Sequence, residues 1–262
     1  MYWGLRLKIY CFLILILLFG CKQPEDTDLT YGGSAAYSSG NLPTKWTKSF
    51  PLNLKISNDF DANETEAINL AADNWEESTE NKINFFTTSN ENLNPRTGLS
   101  SYNDGLYGVY KLYDWPAELP STALAVTQIN GTQYSSYIRI DQADILLNYD
   151  YYTFATDGGW GYDLTTVVLH EMGHFLGLYH DNSSKEDSVM YPTIGRYNDN
   201  QFPKENDITK ISSKYNVDIS RGIASVPTQK EAGQAVKITL EMYPDKEIMK
   251  VNGHEYEITH DE

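Results

Sequence analysis

Three of the chain's five histidines fall in twelve consecutive residues, HEMGHFLGLYHD, from His170 to Asp181 of 262. Each residue of a helix turns about 100°, so His170 and His174 stack on one face and can aim two ring nitrogens at one point. A helix continued to His180 would swing that side chain roughly 240° from His174 and carry it about 9 Å away. Gly177 removes the difficulty, because glycine takes the left-handed conformation that ends a helix and turns the chain back beneath it. His170, His174 and His180 then form a three-histidine zinc site with one tetrahedral position left open for water. Structural zinc is usually closed by four protein ligands, so an open position marks a catalytic ion. Glu171 lies beside His170, where its carboxylate can take a proton from that water and hand it to a leaving amine, while zinc polarises the carbonyl.

The elements that must position these residues are legible in outline. DGGWGYD (157–163) reads as a loop, and Asp163 as the N-cap of the histidine-bearing helix. Earlier, LNLKIS (52–57) alternates as a strand, and residues 64–79 set Ile68, Ala71, Ala72 and Trp75 at helical spacing. INFF, LYGVYKLY and TALAVTQI (122–129) are strand candidates, and Asn130-Gly131 predicts a tight hairpin into YIRIDQADILLN. A short helix is expected over 205–215. Beyond residue 218, AVKITLEM and KEIMKVNGHEYEI read as strands, the second folded about Asn252-Gly253. This order predicts an α+β fold with a mixed, twisted sheet, an active-site helix, a second long helix and a small C-terminal β appendage. The appendage carries no recognisable chemistry, and His254 and His260 read as solvated surface residues.

The N-terminus is of another kind. Arg6 and Lys8 precede an apolar run from Ile9 to Phe19, too short for a bilayer-spanning helix and suited to a signal-peptide core. Leu18-Phe19-Gly20-Cys21 resembles the lipobox of bacterial lipoproteins, which implies cleavage before Cys21 and its lipidation; an ordinary secretory signal is the alternative. The boundaries expected are a signal peptide at 1–20, a lipidated Cys21 with a Gly/Ser-rich tether to 43, a catalytic domain at 44–218 and a β-rich extension at 219–262. The location expected is the bacterial cell envelope, at the outer membrane or cell surface, or otherwise secretion. Cleavage would remove Cys11, leaving no pair for an internal disulfide. It would also take Arg6 and Lys8, lowering Lys+Arg from 20 to 18 against 36 Asp+Glu, a formal charge of −18. Such a surface argues against nucleic acid as a partner.

The arrangement H-E-x-x-H-x-x-G-x-x-H, followed by Ser188-Val189-Met190-Tyr191-Pro192, resembles the metzincin zinc peptidases, in which a Met-turn lies under the metal. By that resemblance Met190 is the apolar floor of the site, with Asp181 and Tyr191 as supporting neighbours of the ligands. Met-Tyr-Pro, Ala143-Asp144-Ile145, Asp163-Leu164 and the 207–215 segment are similar to matrixins in particular. Asp181 is as in adamalysins, where matrixins usually have serine. No histidine precedes His170, so the additional structural zinc of matrixins is not expected. Pro95-Arg96-Thr97-Gly98 is similar to the matrixin cysteine switch but has threonine for cysteine and lies inside the domain, so no such latency is inferred.

A single histidine on an apolar helix face is more often core than ligand, and H-E-x-x-H alone arises by coincidence; the glycine, third histidine and Met-turn occurring together favour the zinc site. The expectation is a zinc metalloendopeptidase, monomeric, acting on peptides or proteins, with membrane contact only through its lipid anchor. An extended peptide is expected to pair with TALAVTQI as an exposed edge strand. The alternative is a catalytically silent metzincin-fold surface lipoprotein that binds a partner. Calcium at Asp157, Asp163 and Asp199 is weighed against simple solvation of acidic loops.

Overall fold

Asp61 accepts a hydrogen bond from the Glu64 N–H at 2.9 Å and Glu64 accepts one from the Asp61 N–H at 2.8 Å. This capping box starts helix α1, Ala62–Ser78, which buries Ala67, Ile68, Ala71, Ala72 and Trp75 along one stripe. A computed structural model describes residues 42–93, 96–196, 200–215 and 233–257. Its strands are β1 (Thr44–Trp46), β2 (Leu52–Ser57), β3 (Phe86–Glu91), β4 (Tyr107–Leu112), β5 (Ala125–Gln133), β6 (Ile138–Asn148), β7 (Phe154–Ala155), β8 (Tyr162–Asp163), β9 (Gln234–Met242), β10 (Glu247–Val251) and β11 (His254–Glu257). Two further helices are α2 (Leu164–Phe175) and α3 (Glu205–Lys214).

The main sheet is mixed, in the order β11-β10-β9-β5-β6-β4-β2-β3, with β1 alongside β6. Strands β1, β2, β3, β4 and β6 pair in parallel, whereas β5, β6, β9, β10 and β11 pair antiparallel. The α+β plan read from the sequence is therefore the one present. Every residue of α2 is buried, because α2 lies between the sheet strands β5 and β6 and helix α1. Two tryptophans fasten it: Trp75 Nε1 donates to the Leu169 carbonyl and Trp46 Nε1 to the Phe175 carbonyl, each at 2.8 Å.

Two expectations need correction. Asn130-Gly131 is no hairpin: β5 runs through it to Gln133, and the chain reverses where the Tyr134 N–H bonds the Tyr137 carbonyl at 2.8 Å. The pair register with β6 shifts between Asn130 and Gly131, and a Cβ on Gly131 would lie 2.4 Å from the Arg139 carbonyl oxygen. Glycine serves a close backbone approach at a strand irregularity here, which the sequence signal does not distinguish from a turn. Strand β5 is also not an edge. Its outer side pairs along its whole length with β9, from Ala125 opposite Met242 to Gln133 opposite Gln234. Val236, Ile238, Leu240 and Met242 are buried there, so the C-terminal segment extends the sheet of the domain. The fold about Asn252-Gly253 is as read, with φ of 51° and 85°.

The docking of α2 onto α1 rests on Trp75, so Trp75→Ala should destabilise the chain by about 3–5 kcal/mol. Urea denaturation followed by far-UV circular dichroism measures this; an unchanged midpoint would mean that α1 does not hold α2.

Candidate metal centre

Asp163 opens α2 by accepting from both the N–H and the hydroxyl of Thr166 at 2.7 Å, and Gln201 Nε2 donates to both carboxylate oxygens at 3.1 Å. From that start the helix puts His170 and His174 on one buried face, their Nε2 atoms 3.0 Å apart. Each ring is steered from behind: His170 Nδ1 lies 2.7 Å from the Val189 carbonyl and His174 Nδ1 2.9 Å from the Leu178 carbonyl. A carbonyl can only accept, so each Nδ1 carries a proton and donates it, leaving Nε2 to face the common point.

The helix then ends in two paired bonds. The Leu178 N–H donates to the Gly173 carbonyl at 2.8 Å and the Gly177 N–H to the His174 carbonyl at 2.7 Å. This is the Schellman pattern, with Gly177 at φ of 83°. A Cβ at Gly177 would lie 2.1 Å from the Thr44 carbonyl oxygen, so both the left-handed turn and the passage of β1 require glycine. The reversed chain delivers His180, whose Nε2 reaches 2.8 Å from that of His174.

The Met-turn is held from α3. Buried Asp207 accepts from the Ser188 hydroxyl at 2.5 Å and from the Val189 N–H at 2.8 Å, while the Met190 N–H bonds the Ser188 hydroxyl at 2.9 Å. Met190 is fully buried, and its sulfur lies 2.2 Å from where a Cβ on Gly173 would be. The glycine inside the motif thus lets methionine pack directly on the α2 backbone between the two helix histidines. Asp181 ties the loop together: its N–H donates to the Met190 carbonyl at 2.9 Å, and its carboxylate accepts from Lys210 at 2.7 Å and the Ser183 N–H at 3.0 Å. Tyr191, which follows Met190, is half-buried.

A fourth group, absent from the sequence reading, completes the cluster. Glu247, the first residue of β10, brings one carboxylate oxygen to 2.7 Å from His170 Nε2 and the other against His180 Nε2. Donor atoms of His170, His174, His180 and Glu247 all lie within 4.8 Å of one another, and all four residues are buried. A tetrahedral zinc with bonds of about 2.0–2.1 Å separates its donors by roughly 3.3 Å. The spacings of 2.7, 2.8 and 3.0 Å are shorter than that, and Glu247 and His180 are closer still, so the donors stand somewhat more tightly together than around a bound ion. Both Glu247 oxygens are buried and, apart from the His170 and His180 nitrogens they face, have no hydrogen-bond partner, so a cation suits the space they and the imidazoles enclose.

The four groups also perturb one another's ionisation. Burial alone would raise the Glu247 carboxyl, but facing His170 and His180 it is held well below the usual carboxylate range. Burial would likewise lower His170, yet Glu247 outweighs it and raises the ring to about 9. His174 is pushed well below its ordinary value by burial and by the neighbouring His180 and His170. Glu171 is fully buried and rises to about 8 through burial, against the opposing influence of His170 and Thr127. The Thr127 hydroxyl, on β5, donates to Glu171 Oε2, while Oε1 is buried without a hydrogen-bond partner.

Other residues singled out in the sequence lie apart from this cluster or outside the described residues. Asp163 is engaged at the helix cap, exposed Asp157 accepts from the Gly159 N–H at 2.9 Å, and Asp199 lies outside the described residues, as do Cys21 and His260. Arg96, in the segment similar to a cysteine switch, pairs with Asp104. His254 is exposed. Thr127 and Glu247 are the residues that sequence reading missed. A signal for Glu247 existed: Glu247, Met249 and Val251 share one strand face, and an acid heading an otherwise apolar face is out of place.

A mixed sheet over a helix that carries two histidines, a glycine turn to a third and a methionine turn beneath them define the metzincin class. The matrixin family model matches residues 45–216, and the chain belongs to that family. Matrilysin from Felis catus is 43% identical over 63 residues, covering 24% of this chain and 23% of that protein. Metalloendoproteinase 2-MMP from Arabidopsis thaliana is 62% identical over 32 residues, covering 12% of this chain and 8% of that protein. The chain thus spans less than a quarter of either relative's length.

Gly177→Ala should cost about 1–3 kcal/mol through its left-handed φ, and more through the Thr44 contact, and should cut retained zinc. Metal analysis of the purified chain beside a denaturation curve measures both; full zinc occupancy with wild-type stability would show that the turn does not place His180.

Proposed function

We propose that this chain is a zinc-dependent endopeptidase in which His170, His174 and His180 hold the metal and Glu171 serves as general base and then general acid. The observation that carries the reading is Glu171, fully buried next to the three histidines with one carboxylate oxygen free of hydrogen bonds. When bound, zinc supplies Lewis acidity toward a peptide carbonyl and acidifies water. Thr127 anchors Oε2 of Glu171, which leaves Oε1 to collect a proton and return it to the departing amine. Burial raises the Glu171 carboxyl above the usual carboxylate range, which makes it a ready proton acceptor beside the histidines. Met190 and the apolar face of α2 exclude water from behind the ligands. Peptides or proteins are the substrate class, as the names of matrilysin and metalloendoproteinase 2-MMP suggest for those relatives.

Glu171→Gln keeps the shape and removes the base, so hydrolysis of a peptide library by the full chain should fall by about 10² to 10⁴ with zinc content unchanged. His174→Ala should lose zinc and activity together. Wild-type and Glu171→Gln chains cleaving equally fast would sink the mechanism. A silent binding protein would instead bind peptides with affinity indifferent to Glu171→Gln and show no chelator-sensitive cleavage.

We further propose that Cys21 is lipidated and anchors the domain to a bacterial envelope membrane through residues 21–43, a reading supported by the short apolar run that ends at Cys21. Cys21→Ser should move the protein from the membrane fraction to the soluble one on cell fractionation; a wild-type chain already soluble and without lipid would refute it.

A further inference from the structure

We propose that the C-terminal hairpin β9–β10 is a built-in inhibitor of the metal centre: Glu247 occupies the coordination position that substrate requires, and β9 occupies the strand edge that an extended peptide would use. The proposal rests on the zinc reading above and adds to it how the site is held silent.

Strand parity explains how Glu247 gets there. Residues directly opposite in an antiparallel ladder point to the same face. Thr127 and Ala125 of β5 share a face, Ala125 lies opposite Met242 of β9, and Met242 lies opposite Glu247 of β10. Thr127 touches Glu171 on α2, so that face is the one that carries the histidines. Two strands out from β5, register alone therefore aims Glu247 at the helix, and the carboxylate reaches His170 and His180. A carboxylate buried this completely is unfavourable unless it is compensated. The compensation lies in the ligand cluster itself, because neither of its oxygens has a hydrogen-bond partner elsewhere.

The second half concerns the main chain. Through Thr127, β5 is the strand that touches Glu171, so a peptide whose amide is to meet that carboxylate has the free side of β5 as its nearest partner for main-chain pairing. Strand β9 fills that side over its whole length, antiparallel. The hairpin is also cross-braced as one piece: Glu241 accepts from Lys250 and from the Tyr243 hydroxyl at 2.7 Å each, and the Asn252 N–H bonds the Lys237 carbonyl at 2.8 Å. Among the described residues its only strand partner on the domain side is β5, so lifting it leaves the ladders among β1 to β6 intact and exposes strand edge and metal site together.

Acetohydroxamate, which needs only the metal, and a peptide hydroxamate, which needs the metal and the β5 edge, separate the two halves by titration calorimetry on full-length zinc-loaded chains. If the capped state holds about 99% of the population, apparent affinity is reduced about 100-fold. Acetohydroxamate should then bind Glu247→Ala about 100-fold more tightly than wild type at equal zinc content. Glu247→Gln, which keeps the side-chain shape, should gain at least about tenfold and serves if the alanine chain does not fold. With the peptide hydroxamate saturating, amide hydrogen exchange in residues 234–242 should speed up, because peptide and β9 compete for one edge. Equal acetohydroxamate affinity in wild type and both variants, all holding zinc, would overturn the cap while leaving the zinc site standing. Bound peptide hydroxamate with β9 still protected would overturn the strand half. Absence of zinc from wild type and variants alike would overturn the zinc reading and the proposal with it.

Discussion

Three imidazole nitrogens within 3.0 Å of their neighbours form an arrangement that no protein core adopts without strong constraint, and much of the chain supplies that constraint. Two nitrogens follow from one helical turn, and the third follows only because Gly177 reverses the chain against β1. The rings are then fixed by carbonyls of the two segments flanking the cluster, Leu178 after the turn and Val189 in the Met-turn. Val189 is placed by Asp207, and Asp207 by the first turn of α3. The buried carboxylate of Asp207 is thus a structural counterpart of Glu171: one arranges the backbone around the ligands, and the other is left with an oxygen to spare.

Glycine does two different jobs within five residues. At Gly177 it supplies a left-handed φ, whereas Gly173 sits in ordinary helix and is needed because Met190 packs where a side chain would stand. The floor of the site is consequently backbone against thioether, apolar and buried. That burial also raises Glu171 and makes an uncompensated Glu247 so costly.

The C-terminal segment changes the character of the centre. With three histidines alone the cluster has the open position of a catalytic site; with Glu247 it has the four protein donors of a closed one. The same hairpin turns β5 from an edge into an interior strand, which also removes an exposed row of unpaired backbone groups beside the site.

Local features were legible in the residues themselves: the helix that stacks His170 on His174, its cap at Asp163, the glycine stop, the α1 stripe through Trp75, the alternation of β2 and the strand runs of β6 and β9. Each follows from periods and backbone preferences spanning a few residues, which physics imposes wherever the segment lies. Asn130-Gly131 shows the limit of such reasoning, since a close approach to Arg139 and a hairpin ask for the same glycine. Only the tertiary structure decided which strand covers β5 and what it brings with it. Glu247 stands 67 residues after His180 in the chain, and strand pairing is set by a register and a partner that local sequence does not encode. An acid heading an apolar strand face was visible in KEIMKV, but its destination existed only once β10 lay on β9, β9 on β5, and β5 against the helix that bears the histidines.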